Sequence, residues 1–97
     1  NSPKNVKLLL DVAHLKVSSN SLKFDPVYFL KNCNEIVGGY HLSDNNGLSD
    51  TNDPFTESAW FWDFIRKDLN YYSIEVYNQS NDQIKFLKEL TEKKLNF

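Results

Sequence analysis

Val6-Lys7-Leu8-Leu9-Leu10-Asp11, Ile36-Val37-Gly38-Gly39-Tyr40-His41 and Tyr71-Tyr72-Ser73-Ile74-Glu75 are three short, largely apolar runs, each ending in a side chain able to bind a metal ion. Side chains along a strand alternate between its two faces with a period of two. Asp11 therefore shares a face with Leu9 and Lys7, His41 with Gly39 and Val37, and Glu75 with Ser73 and Tyr71. The opposite faces carry Val6, Leu8, Leu10, Ile36, Tyr40, Tyr72, Ile74 and Val76. That second set is solidly apolar and suited to lie under helices. The first is smaller, more polar, and ends in two carboxylates and an imidazole. The pattern predicts parallel strands near residues 6–10, 36–42 and 71–76, with helices on the Val6, Leu8, Ile36, Tyr40, Ile74 face.

The segments between the runs supply the helices. Ser18 to Ser21, with Asn20, reads as loop, and Asp25-Pro26 reads as a helix start, because aspartate accepts from the orphan first-turn amides and proline suits the first helical position. A helix is expected from about Pro26 to Cys33. The stretch Ser43-Asp44-Asn45-Asn46-Gly47-Leu48-Ser49-Asp50-Thr51-Asn52-Asp53-Pro54 is a long polar loop dense in turn formers, and a loop of that length in a compact unit is usually functional. Asp53-Pro54 is expected to open a second helix carrying Ala59, Trp60, Phe61, Trp62, Phe64 and Ile65 to about Asp68. Ser80-Asn81-Asp82-Gln83 has the spacing of a capping box, followed by the apolar stripe Ile84, Leu87, Leu90, Leu95. The order strand, helix, strand, helix, strand, helix predicts an α/β fold of three consecutive parallel βα units joined by crossovers.

Composition narrows the function classes. With 97 residues, 40% hydrophobic and 25% charged, the chain is expected to form a single globular unit with a modest core. Net charge is −2, and Arg66 is the sole arginine beside ten lysines, so no basic patch is present to track a phosphate backbone. Nucleic acid is not an expected partner. No apolar stretch approaches the roughly 18–20 residues that span a bilayer, and no charged-then-apolar leader opens the chain. The single Cys33 fits a reducing compartment and a buried apolar role, so a cytoplasmic location is expected, with no membrane partner. Gly47 does not fall where a calcium-binding helix-loop-helix would require its glycine.

Three strands delivering Asp11, His41 and Glu75 to one end and one face form a plausible ligand set for a divalent ion such as Mn²⁺, Mg²⁺, Co²⁺ or Zn²⁺, and the lack of further cysteines argues against a thiolate-rich site. Asp44 and Asp50 in the long loop are possible additional ligands. The phrases Leu10-Asp11-Val12-Ala13-His14 and Tyr40-His41-Leu42-Ser43-Asp44-Asn45-Asn46-Gly47, with Asp50 and Ile74-Glu75 after them, resemble the last three strands of the xylose-isomerase-like barrels. Those barrels include sugar isomerases, sugar-phosphate isomerase/epimerases and apurinic endonucleases.

The resemblance covers nearly the whole chain and implies a partial TIM (β/α)8 barrel. By it, Asp11, His41 and Glu75 are metal ligands, Glu75 is also the catalytic proton-transfer group, and His14 contacts substrate. Lys16 is a candidate for holding an anionic group of the substrate. Endonuclease-like relatives place a histidine two residues after the loop aspartate. This chain has Asn52 there, which leans the reading toward a single-metal sugar enzyme and leaves a metal-dependent phosphodiesterase, or a non-catalytic module keeping the barrel wall, as alternatives. In the family a further glutamate from an earlier strand completes the ligand set, and a full barrel needs about 250 residues. The resemblance thus implies that residues 1–97 are the C-terminal part of a longer enzyme, inactive alone and inclined to form homo-oligomers through exposed strand edges.

Overall fold

The computed structural model describes residues 7–96. Its elements run β1 (Leu8–Asp11), α1 (Val12–Leu22), α2 (Pro26–Cys33), β2 (Val37–Leu42), β3 (Tyr72–Ile74) and α3 (Asn81–Lys94). The strands form one open parallel sheet in the order β1-β2-β3, an α/β arrangement with three helices among the described residues. Val6, expected on the helix-covered face, lies outside the described residues.

The core forms where the even-numbered strand positions meet the helices. Leu10, Tyr40 and Leu42 are buried and pack with Val12 and Leu15 of α1, Leu30 of α2 and Leu87, Leu90 and Leu95 at the C-terminal helix. Tyr72 and Ile74 pack against the same cluster from β3. The odd-numbered face stays open: Leu9 and Tyr71 are half exposed.

The face assignment for residues 36 and 37 is corrected. Leu8 pairs with Val37 but Leu9 pairs with Gly39, so β2 carries one extra residue at this point. Such a bulge interrupts the period of two. Val37 turns into the core at 1% exposure, while Ile36, expected beneath the helices, is 55% exposed.

Two helix expectations are also corrected. Ser18 to Ser21, read as loop, lie inside α1. Serine and asparagine disfavour helix interiors because their side chains compete for backbone groups. Here Ser19 Oγ bonds back to the Lys16 carbonyl at 2.8 Å and Asn20 reaches out to the Gly47 carbonyl at 2.9 Å, so neither breaks the helix. The helix ends at Lys23, left-handed at φ 61°, whose N–H returns to the Ser19 carbonyl.

Conversely, residues 54–68 form turns and not the expected helix. Aromatics on every side left no single face to bury, and tertiary bonds replace the helical ladder. Trp62 Nε1 donates to the Thr56 carbonyl, Arg66 N–H donates to Tyr40 Oη, and Tyr72 Oη donates to the Arg66 carbonyl. Phe55, Phe61 and Trp62 stack edge-on and tilted at centroid distances of 4.7–5.9 Å, and all three are buried. Elsewhere the caps are as expected: Asp25 Oδ1 accepts from Val27 N–H at 2.9 Å ahead of Pro26, and Ser80 Oγ accepts from Gln83 N–H at 3.2 Å.

Candidate functional site

Parallel pairing aligns the ligand-type residues across the C-terminal edge of the sheet. Asp11 pairs with His41, His41 with Ser73, and Leu42 with Ile74, one residue before Glu75. Glu75 N–H continues the ladder to the Leu42 carbonyl at 3.0 Å. On the open face His41 Nε2 lies 3.7 Å from Glu75 Oε1, with the two side chains 27% and 41% exposed. Ser73 Oγ donates to the same Oε1 at 3.1 Å. The Tyr71 ring lies across Gly39, where a Cβ would meet Tyr71 Cδ1 at 2.7 Å, and its centroid is 6.3 Å from the imidazole. Glycine at position 39 is thus what allows the aromatic ring to lie beside His41.

Asp11 is tied into the fold differently. Its Oδ1 accepts from His14 N–H at 2.9 Å and caps α1, a favourable place for negative charge because the first-turn amides and the helix dipole point at it. Oδ2 is left as its second donor atom. Among the described residues no three His, Cys, Asp or Glu side chains are gathered closely enough to hold an ion. What stands assembled is the His41–Glu75 pair, with Asp11 beside it in register.

The long loop is pinned to α1 and to the end of β3. Asp44 and Asp53 exchange two backbone hydrogen bonds of 2.8 Å, closing the loop on itself. Lys16 Nζ donates to Asp44 Oδ1 at 2.9 Å and also to the Asn45 carbonyl. Asn45, 6% exposed, donates to the Ala13 carbonyl and accepts from Gly47 N–H, which holds Gly47 at φ 84°. His14 Nδ1 lies 3.2 Å from Asp50 Oδ2, the imidazole well exposed. Asn52, at φ 52° and 8% exposed, donates from Nδ2 to the Glu75 carbonyl at 2.7 Å and accepts from Tyr77 N–H at 3.0 Å.

The site residues expected from the sequence lie at the strand ends, in the first two turns of α1 and in the long loop, but in separate groupings. His41 meets Glu75, His14 meets Asp50, and Lys16 meets Asp44. Lys16 is committed to the loop, so holding a substrate anion would require it to exchange Asp44. Ser73 stood out in the sequence only as a neighbour of Glu75 on one strand face and Asn52 only as the residue in place of a histidine, neither with a hydrogen-bonding role, and Asn45 was marked by turn-forming composition alone. Ser43, two residues beyond His41, is fully buried and its hydroxyl has no hydrogen-bond partner among the described residues.

Charge on the helix-covered side is structural. Arg66 forms a two-pronged pair with Asp68, and this guanidinium holds the Asp68 carboxyl below the usual carboxylate range. Burial pushes the Tyr40 and Tyr72 hydroxyls above the ordinary tyrosine value.

The donor chemistry, one imidazole nitrogen and carboxylate oxygens, fits a hard-to-borderline divalent cation and not a thiophilic one. His41 Nε2, Glu75 and Asp11 Oδ2 are the atoms on this rim that would hold it. No helix among the described residues is long and apolar enough to cross a membrane. No protein-family model, curated protein or solved structure matches the chain.

Proposed function

We infer that this chain forms part of the catalytic wall of a divalent-metal-dependent sugar or sugar-phosphate isomerase/epimerase, the xylose-isomerase-like reading of its sequence. The observation that carries the proposal is the His41–Glu75 contact on the open face, at the C-terminal ends of adjacent parallel strands, with Asp11 next in register. Barrel enzymes build their sites at that end of the strands. The finer architecture, three consecutive units of an eight-stranded barrel, belongs to the same proposal. A half-exposed apolar face bearing Leu9 and Tyr71 is what such a wall presents when its other strands are not beside it.

A bound ion would polarise a sugar carbonyl and its adjacent hydroxyl. Glu75 would move the proton at the carbon between them, its carboxylate being 41% exposed on the open face. His14, with Nδ1 engaged by Asp50, orients a sugar hydroxyl through Nε2. Tyr71 shields one side of the imidazole. Asn52 stands where a nuclease of this type would need a histidine, and its amide is spent on the Glu75 carbonyl, which favours the single-metal enzyme over the phosphodiesterase.

Titration calorimetry with Mn²⁺ and Zn²⁺ tests the reading. One ion per chain, lost in Glu75→Gln, is expected. Two or three ions per chain would move the assignment to the phosphodiesterase, and no binding at all would move it to a non-catalytic module.

A further inference from the structure

We propose that Ser73 and Asn52 are positioning residues that hold Glu75 from its two ends and so keep its carboxylate beside His41. This deepens, and rests on, the metal-site reading of that rim. A glutamate side chain has three rotatable bonds, and one that is 41% exposed has little packing to choose among rotamers. Something must select the conformer that brings Oε1 to 3.7 Å from His41 Nε2. Ser73 lies two residues earlier on the same face of the strand, and its hydroxyl donates to that same oxygen at 3.1 Å. A hydroxyl donor to an ionised carboxylate makes one of the stronger classes of hydrogen bond.

The backbone end is held as firmly. Glu75 lies just past the last paired residue of β3, where a chain ordinarily frays. Its N–H is taken by the Leu42 carbonyl and its carbonyl by Asn52 Nδ2 at 2.7 Å. Asn52 can do this because it adopts the left-handed conformation at φ 52°, which asparagine tolerates better than most residues. Its own carbonyl takes Tyr77 N–H, so the long loop grips the chain on both sides of Val76. Partners that orient metal-ligand side chains in this way typically change metal affinity by about 10–100-fold when removed.

The test uses the 97-residue chain in four forms: wild type, Ser73→Ala, Ser73→Thr and Asn52→Asp. Threonine keeps the hydroxyl and suits a strand. Aspartate is isosteric with asparagine and tolerates positive φ, but cannot donate. Without metal, the proton couplings along the Glu75 side chain and the nuclear Overhauser contact between Glu75 Hγ and the His41 ring report whether one rotamer is held. Wild type and Ser73→Thr are expected to show one rotamer and the contact, Ser73→Ala to show averaged couplings and at least a threefold weaker contact, and Asn52→Asp to lie between them. With Mn²⁺, site-specific broadening of the His41 ring should need about tenfold more ion in Ser73→Ala and recover in Ser73→Thr. A Ser73→Ala chain that keeps wild-type couplings and contact overturns the proposal, as does failure of threonine to restore them in a folded chain. Should the metal-free results come out as expected while wild type shows no Mn²⁺ broadening at His41, the positioning role stands and the metal reading falls.

Discussion

Substituting alanine for Gly39 brings the sheet's open face into conflict with itself. The added Cβ would lie 2.7 Å from Tyr71 Cδ1, 3.1 Å from Tyr71 Cβ and 3.0 Å from the Tyr71 carbonyl oxygen. Carbon atoms in contact prefer about 3.5–4.0 Å, so the ring must swing aside. Because Tyr71 is half exposed, that motion is inexpensive. The carbonyl is another matter. It accepts from Tyr40 N–H at 3.2 Å and is one of the bonds joining β2 to β3. Relief there stretches the strand pair that carries His41 and Glu75. Overpacking of this kind costs about 1–3 kcal/mol, and replacing a strand glycine returns roughly 0.5–1 kcal/mol of backbone entropy. Taking the middle of each range, the net expected loss is about 1 kcal/mol, or roughly 4–8 °C in melting temperature for a domain of this size. Urea unfolding followed by circular dichroism, with a thermal melt, measures it. The double variant Gly39→Ala with Tyr71→Ala should recover the part due to the ring and leave the part due to the carbonyl. A Gly39→Ala chain as stable as wild type would refute the claim that Tyr71 lies on Gly39.

Other outcomes follow from the same geometry. Leu42 is fully buried between strand and helices, so Leu42→Ala should lower unfolding free energy by about 2–5 kcal/mol in urea titrations, and an unchanged midpoint would remove it from the core. Burial, first of all, raises the folded-state pKa of Tyr40 and Tyr72 above the ordinary tyrosine value of about 10. A raised folded pKa contributes stability that is fully present below the unfolded value and is lost as pH rises through the folded one. Melting temperature should therefore fall above pH ~10, with a shallower fall in Tyr40→Phe, as a series of melts across that range would record. Leu9 and Tyr71 on the open face, with Leu8 on the outer strand, leave apolar surface uncovered, so sedimentation equilibrium should report a dimer or higher species of the 97-residue chain. A monomer across a hundredfold concentration range would contradict that expectation.

The parallel sheet was legible because three apolar runs kept the same parity, and parity survives whatever lies between the runs. Among the described residues it failed at Ile36 and Val37, where one extra residue in β2 swaps the faces, and Leu8, expected beneath the helices, is left 36% exposed on the outer strand. A bulge leaves no mark in composition, and glycines at 38 and 39 were the sole hint. The helix over Val12–Leu22 was hidden by Ser18, Ser19, Asn20 and Ser21, whose preference for loops is outweighed by bonds such as Asn20 to Gly47, 27 residues away. The aromatic stretch misled in the opposite direction. Its side chains fit helical spacing, yet the hydroxyls of Tyr40 and Tyr72 capture the backbone of Arg66 and settle the chain into turns. The rim residues Asp11, His41 and Glu75 were visible from strand ends alone. The bond from Asn52 to the Glu75 carbonyl was not, since the two are 23 residues apart and only the folded chain brings them together.

The proposed divalent-ion site would draw on Asp11, His41 and Glu75. Mn²⁺-induced nuclear relaxation, mapped residue by residue in wild type and in Asp11→Asn, His41→Ala and Glu75→Gln, tests it most directly. Broadening centred on the ends of β1, β2 and β3 is expected, with one ion per chain, and loss of that centre in each variant while the fold is kept. Broadening centred elsewhere, or left unchanged when Glu75 or His41 is replaced, would contradict it.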